Sequence, residues 1–133
     1  MKKVILMWVR LSSLVFFCFS CGGNPVSPSP SVLGKWTVLS DNQYTGVGLN
    51  NHQVTFTGQS GDYFDFRTNG KVYIKEGSSF DTLSYKLLSD TTVSITSFGS
   101  FYIRHLTVHN ATLFSPLVIT PGGAFGRTVG LNR

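Results

Sequence analysis

Between residues 62 and 77 the chain reads DYFDFRTNGKVYIKEG, and dry and wet positions alternate along it. Phe64 and Phe66 fall on one side of an extended segment, with Tyr63, Asp65 and Arg67 on the other. After Asn69-Gly70, Val72 and Ile74 alternate with Tyr73 and Lys75 in the same way. Two alternating runs split by Asn-Gly predict a β-hairpin with a type I′ turn, whose two central residues both need positive φ.

The same period of two runs through the rest of the chain. Gly34 to Leu39 predicts a first strand with Trp36 and Val38 inward, and residues 40–52, polar and dotted with glycine, predict a long loop. Gln53 to Thr57 follows with Val54 and Phe56 inward. After the hairpin come Phe80 to Leu88 with Leu83, Tyr85 and Leu87 inward, and Thr92 to Ser97 with Val93 and Ile95 inward. Phe101 to Leu106, Ala111 to Ser115 and Gly126 to Leu131 complete the set. Pro116 and Pro121-Gly122-Gly123 interrupt it, and Val129 and Leu131 point inward at its end. No useful helical period appears beyond residue 21.

Eight or nine short strands joined by tight turns predict an antiparallel sheet in sequence order. Left open, it would expose two unpaired edges, and eight strands are enough to close into a barrel filled by side chains or by one small ligand. The expected fold is therefore all-β, an antiparallel up-and-down eight-stranded barrel. A sandwich is the competing shape, but it needs longer crossings between sheets.

The first twenty residues stand apart. Lys2 and Lys3 precede a mostly apolar stretch that Arg10 interrupts, and Ser20-Cys21-Gly22-Gly23 closes it. That is the layout of an export signal, with Leu11 to Phe19 as its apolar centre and Met7 as a second available start. Neither half reaches the roughly 20 uninterrupted apolar residues of a permanent membrane span. Residues 24–31, NPVSPSPS, predict an extended, solvated tether that spaces a folded part by about 3 Å per residue. The expected organisation is thus a signal over 1–20, a tether over 21–31 and a barrel over 32–133.

Removing the signal changes the charge picture. Lys2, Lys3 and Arg10 leave with it, which lowers the formal charge from +5 to +2, and the remaining basic residues are scattered singly. Nucleic acid is therefore not an expected partner. Cys18 leaves too, so Cys21 becomes the lone thiol and no intrachain disulfide can form.

A lone cysteine at that place, in Cys18-Phe19-Ser20-Cys21, resembles the lipobox of a bacterial lipoprotein, in the loose form found in Bacteroidota. The resemblance implies lipidation of Cys21 by diacylglycerol and a further acyl chain such as palmitate. Such chains hold a protein on a membrane at about 0.8 kcal/mol per buried methylene. Ordinary cleavage after Ser20, leaving a free thiol, is the other reading. Leu33-Gly34-Lys35-Trp36 is similar to the Gly-x-Trp signature of lipocalins. With residues 63–73, Leu83-Ser84-Tyr85, Leu106-Thr107 and the closing Thr128 to Arg133, it resembles the small lipocalin-like domain of Bacteroidota lipoproteins. This stretch is shorter than an ordinary lipocalin, and the helix that follows the barrel in lipocalins is not expected within it. The resemblance implies an arginine, Arg133 or else Arg127, stacked over Trp36 at the barrel floor.

Candidate chemistry is sparse. His105 and His109 lie about 13 Å apart if both are on one strand, too far to share an ion, and His52 falls in a loop, so no metal is expected. Asp62 and Asp65 face opposite sides of a strand, and Asp41, Asp81 and Asp90 fall at turns, where aspartate caps loops. Paired carboxyls across a cleft, a nucleophile elbow and a phosphate-cradling loop are all missing, so neither enzyme activity nor a cofactor is expected. Asp81-Thr82-Leu83 and Asp90-Thr91-Thr92 resemble the O-glycosylation acceptor of exported Bacteroidota proteins.

So many inward aromatics would largely fill a short barrel, leaving a shallow cup near Tyr85 and Phe64. Trp36, Phe64, Phe66 and Tyr85 are the candidate ligand-binding residues. The expected function is a membrane-anchored cell-envelope binding module, at the outer membrane by default, for a small apolar ligand or for an envelope protein or glycan. The alternative is a structural or accessory envelope lipoprotein with a filled barrel and no small-molecule ligand.

Overall fold

The computed structural model describes residues 29–47 and 50–133; the expected signal, Cys21 and most of the tether lie outside them. Nine strands follow in order: β1 (Gly34–Val47), β2 (Asn50–Thr57), β3 (Tyr63–Phe66), β4 (Lys71–Glu76), β5 (Ser79–Ser89), β6 (Thr92–Ile95), β7 (Gly99–Arg104), β8 (Asn110–Thr120) and β9 (Gly123–Asn132). All neighbouring pairs are antiparallel. From β3 to β9 each strand pairs with the next, and β9 returns to β1 to close the ring. The fold is a closed up-and-down barrel of eight strands, with β2 as one strand in addition.

The two edges of β1 explain the extra strand. One edge carries β9 along most of its length; the other carries β3 at Gly34–Thr37 and β2 at Ser40–Val47. Residues 40–52, expected as a loop, are thus largely strand. Their polar composition reflects a position at and beyond the barrel rim, where a sheet has no continuous apolar face to bury. Gly58 sits where β2 leaves β1. Its amide donates to the Leu39 carbonyl at 3.0 Å, and an added Cβ would stand 1.9 Å from the Val38 carbonyl oxygen, so only glycine fits there.

The β3–β4 turn differs from the expected one. The Gly70 amide donates to Arg67 O, the Arg67 amide donates to Lys71 O, and Gly70 alone has positive φ, at 74°. That is a three-residue loop, a type I turn closed by one left-handed glycine, so only one of the Asn-Gly pair uses its tolerance of positive φ. Asn69 instead accepts the Lys71 amide through its side chain at 3.1 Å.

The core occupies the lower half of the barrel. Trp36, Phe64, Phe66, Val72, Ile74, Val93, Ile95, Val129 and Leu131 are buried there as expected. Phe101, Ile103, Ala111 and Leu113 join them, from two strands whose facing the pattern left open. Two expected inward residues are exposed: Val54, because β2 stands outside the closed ring, and Leu87, which pairs with Val93 near the far end of β5. Pro116 does not end β8. It lies where the β8–β9 register shifts between Ser115 and Val118, a place where a missing amide hydrogen is tolerated.

The floor is closed by the segment entering β1 and by the end of β9. Trp36 Nε1 donates to Val32 O at 2.6 Å, and the Arg133 guanidinium carbon lies 3.8 Å from the Trp36 ring centroid. Arg133 also donates to the carbonyls of Ser31 and Leu33. Arg133→Ala is expected to lower unfolding free energy by about 1–2 kcal/mol, the sum of one stacked cation and its carbonyl bonds. The check is urea denaturation followed by Trp36 emission, and an unchanged midpoint and spectrum would count against the contact.

Candidate functional site

Along each wall the inward residues change from apolar to polar part-way up. On β1, Trp36 and Val38 give way to Asp41, Gln43 and Thr45; on β9, Leu131 and Val129 give way to Arg127 and Phe125. On β4 and β5, Val72 and Ile74 are followed by Glu76, Ser79 and Asp81. Below the change the barrel is solid. Above it is a cup of about 760 Å³, open to solvent.

Asp41 reaches the interior through a bulge. Val38 pairs with Leu131 and Ser40 with Gly130, so Leu39 is the extra residue and the alternation shifts by one. Asp41 then shares the inward face with Val129 and is 1% exposed, instead of capping a turn as expected. Asp81 likewise lies within β5, paired with Ile74 and facing the rim of the cup, not at a turn.

A buried carboxylate needs a partner, and Arg127 supplies it. Its Nε donates to Asp41 Oδ1 and Oδ2 at 3.0 and 2.8 Å, and its Nη2 donates to Asp41 Oδ2 and, at 3.3 Å, to Glu76 Oε2. Phe98, from the β6–β7 turn, covers the guanidinium at 4.1 Å. Glu76 is left with one shielded oxygen, Oε1, that has no hydrogen-bond partner among the described residues. Burial, then the hydrogen bond and charge of Asp41, push the Glu76 carboxyl up from 4.5 to about 7, while Arg127 pulls it down.

The residues singled out from the sequence lie elsewhere. Trp36, Phe64 and Phe66 are buried in the packed half. Tyr85 closes on Phe66 edge-to-face at 5.1 Å and donates its hydroxyl to Arg67 O at 2.8 Å, which ties it to the β3–β4 turn. None of the four lines the cup. Arg133 stacks on Trp36, whereas Arg127 belongs to the cup floor. Asp62 accepts the amides of Gln59 and Gly77, which makes it a brace between two connections, and Asp65 pairs with Arg67 on the outer wall. His105 and His109 lie between β7 and β8, and His52 lies in β2. Comparison of the chain with protein families, with curated proteins and with solved structures gave no match.

Two measurements test this floor. Arg127→Met is expected to cost about 3–5 kcal/mol, because it strands the buried Asp41 charge, and Asp41→Leu combined with it should recover most of the loss. Chemical denaturation of the two single variants and the double variant provides the cycle. For Glu76, a folded-state value above the unfolded one means that the native protein binds the proton more tightly. Its contribution is therefore full below about pH 4.5 and lost as the pH rises through about 7. Glu76→Gln should flatten that decline, by about 1–2 kcal/mol between pH 5 and 8 once solvent screening is allowed for, as read from urea midpoints at the two pH values.

Proposed function

We propose that this chain is a membrane-anchored cell-envelope lipoprotein whose barrel is a binding module, taking one small ligand in the cup above the packed core. The observation that carries the reading is the cup itself, about 760 Å³, open to solvent above a floor of paired charges. That volume suits a single small molecule, and a few polar groups placed among apolar walls is the usual make-up of such sites. Phe125, Val118 and Phe98 supply apolar wall, and Gln43, Thr45 and Ser79 supply hydrogen-bonding groups. A barrel filled to both ends, acting only through protein contacts, is the reading this space argues against.

The anchoring half of the proposal rests on the Ser20-Cys21 junction, the lone cysteine it leaves and the proline- and serine-rich stretch that follows. The outer membrane is the proposed location.

Trp36 is packed at the floor, away from the cup, so melting temperature is the more direct readout of ligand. Fatty acids, sterols, haem, oligosaccharides and small amines should be screened against the full-length protein in neutral detergent. A ligand present at about 100 times its Kd adds about 2.7 kcal/mol to stability, a shift of several degrees. A saturable shift that is lost when Phe125 is changed to Asp supports the cup as the site, and no shift across the panel favours a structural role. Mass measurement of the protein from its native host should find Cys21 acylated, and an unmodified thiol would remove the anchor.

A further inference from the structure

The cup has a surplus of acid that the barrel does not neutralise. Among its lining residues the charged groups are Arg127 from β9, Glu76 from β4 and Asp81 from β5. Arg127 is already committed: Nε and Nη2 are held by the buried Asp41 of β1, and Phe98 covers its face. Nη2 also reaches Glu76 Oε2 at 3.3 Å, so one arginine is shared by two carboxyls and Asp81 adds a third. Asp62, from the connection before β3, adds a further negative charge near Glu76. Lys75 points the other way on β4, over Phe80, and meets the Asp62 charge at 3.9 Å, so it offsets Asp62 and does not line the cup.

The unpartnered oxygen lies in the same place. Glu76 Oε1 is shielded from water and accepts no hydrogen bond among the described residues, and an acceptor in that state costs free energy until a donor reaches it. The walls beside it are partly aromatic: Phe98 and Phe101 deep in the cup and the half-exposed Phe125 toward the mouth. Aromatic faces attract a cation, and an apolar surround strengthens a carboxylate's hold on one. An anion would meet three carboxyls, Asp41, Glu76 and Asp81, against one arginine that is already shared between two of them.

We propose that the ligand of the cup is an organic cation, an amine or ammonium compound with an aromatic or short alkyl body, whose N–H groups are accepted by Glu76 and Asp81 while the body lies against Phe125 and Phe98. The inference rests on the cup being the binding site and narrows the class of ligand it takes. It excludes fatty acids as the preferred occupant. Because Glu76 must shed its proton to pair with the cation, binding tightens as the pH rises through about 7.

The test uses three probes of one shape, 2-phenylethylamine, 2-phenylethanol and phenylacetate, titrated calorimetrically into the full-length protein in neutral detergent at pH 5.5 and pH 8. The expected result is that the amine binds about ten-fold or more tighter than the other two, and about ten-fold tighter at pH 8 than at pH 5.5. Glu76→Gln should remove most of the pH dependence, and Asp81→Asn, at the exposed rim, should weaken the amine several-fold with the melting temperature unchanged. The alcohol or the carboxylate binding as well as the amine would overturn the charge preference while leaving the cup a binding site. If none of the three binds and the wider panel also fails, both the preference and the site are overturned.

Discussion

A carboxylate at the centre of a barrel is stable only if its charge is met there, and the pairing of Asp41 with Arg127 is the condition on which the upper half of this molecule stands. The cost of desolvating both ions is repaid only by close geometry and by saturation of the donors. Here the geometry is close, with bonds from Nε and Nη2 to Asp41 and Phe98 over the guanidinium. The pair joins β1 to β9, the two strands whose contact closes the ring. The same interaction therefore seals the barrel wall and sets the height at which the packed core stops.

Why there is space above that height follows from the hydrogen bonding of the wall. In the lower half the side chains that the ring encloses interlock into one packed core. Higher up, β3 has ended and β2 takes its place on β1, but among the described residues β2 pairs with no other strand. The first residues of β5 pair with β4 alone, since β6 joins β5 only from Tyr85 onward. A wall that is not fully laced cannot be drawn tight around a core, and its inward positions are accordingly polar.

Much of this was legible in the residues. The period-two alternation around Phe64, Phe66, Val72 and Ile74 located the packed half, because a side chain one position out of phase would have faced water. Glu76 and Arg127 were within reach of the same reasoning: each continues an inward series, Val72-Ile74-Glu76 and Arg127-Val129-Leu131. Asp41 was not. Its inward position depends on Leu39 being bulged, and counting alternate residues from Trp36 and Val38 puts Ser40 inside. Nor could composition separate a polar loop from a polar strand at a rim, which is why residues 40–52 looked irregular. The Asn-Gly pair signalled a turn correctly but not its length, because the backbone bonds of Arg67 and Lys71 select a three-residue loop.

The polarity of the barrel bears on where a ligand would come from. Ser31, Val32 and Leu33 are fastened to Arg133 and Trp36 at the floor, while Thr45, Val118 and Phe125 stand at the opposite end, around the mouth. Were the proposed anchor at Cys21 in place, it would tie the chain to its membrane from the closed end, and about ten intervening residues would allow a reach of about 30 Å. In that arrangement the mouth opens toward the aqueous side. A water-soluble cation can enter there by diffusion, whereas a bilayer lipid would have to leave its membrane and travel the height of the barrel. Two independent features, the charge of the cup and the end of the barrel at which the chain enters, therefore favour the same kind of occupant, since one depends on Glu76 and Asp81 and the other only on Trp36, Arg133 and the segment between Cys21 and Val32.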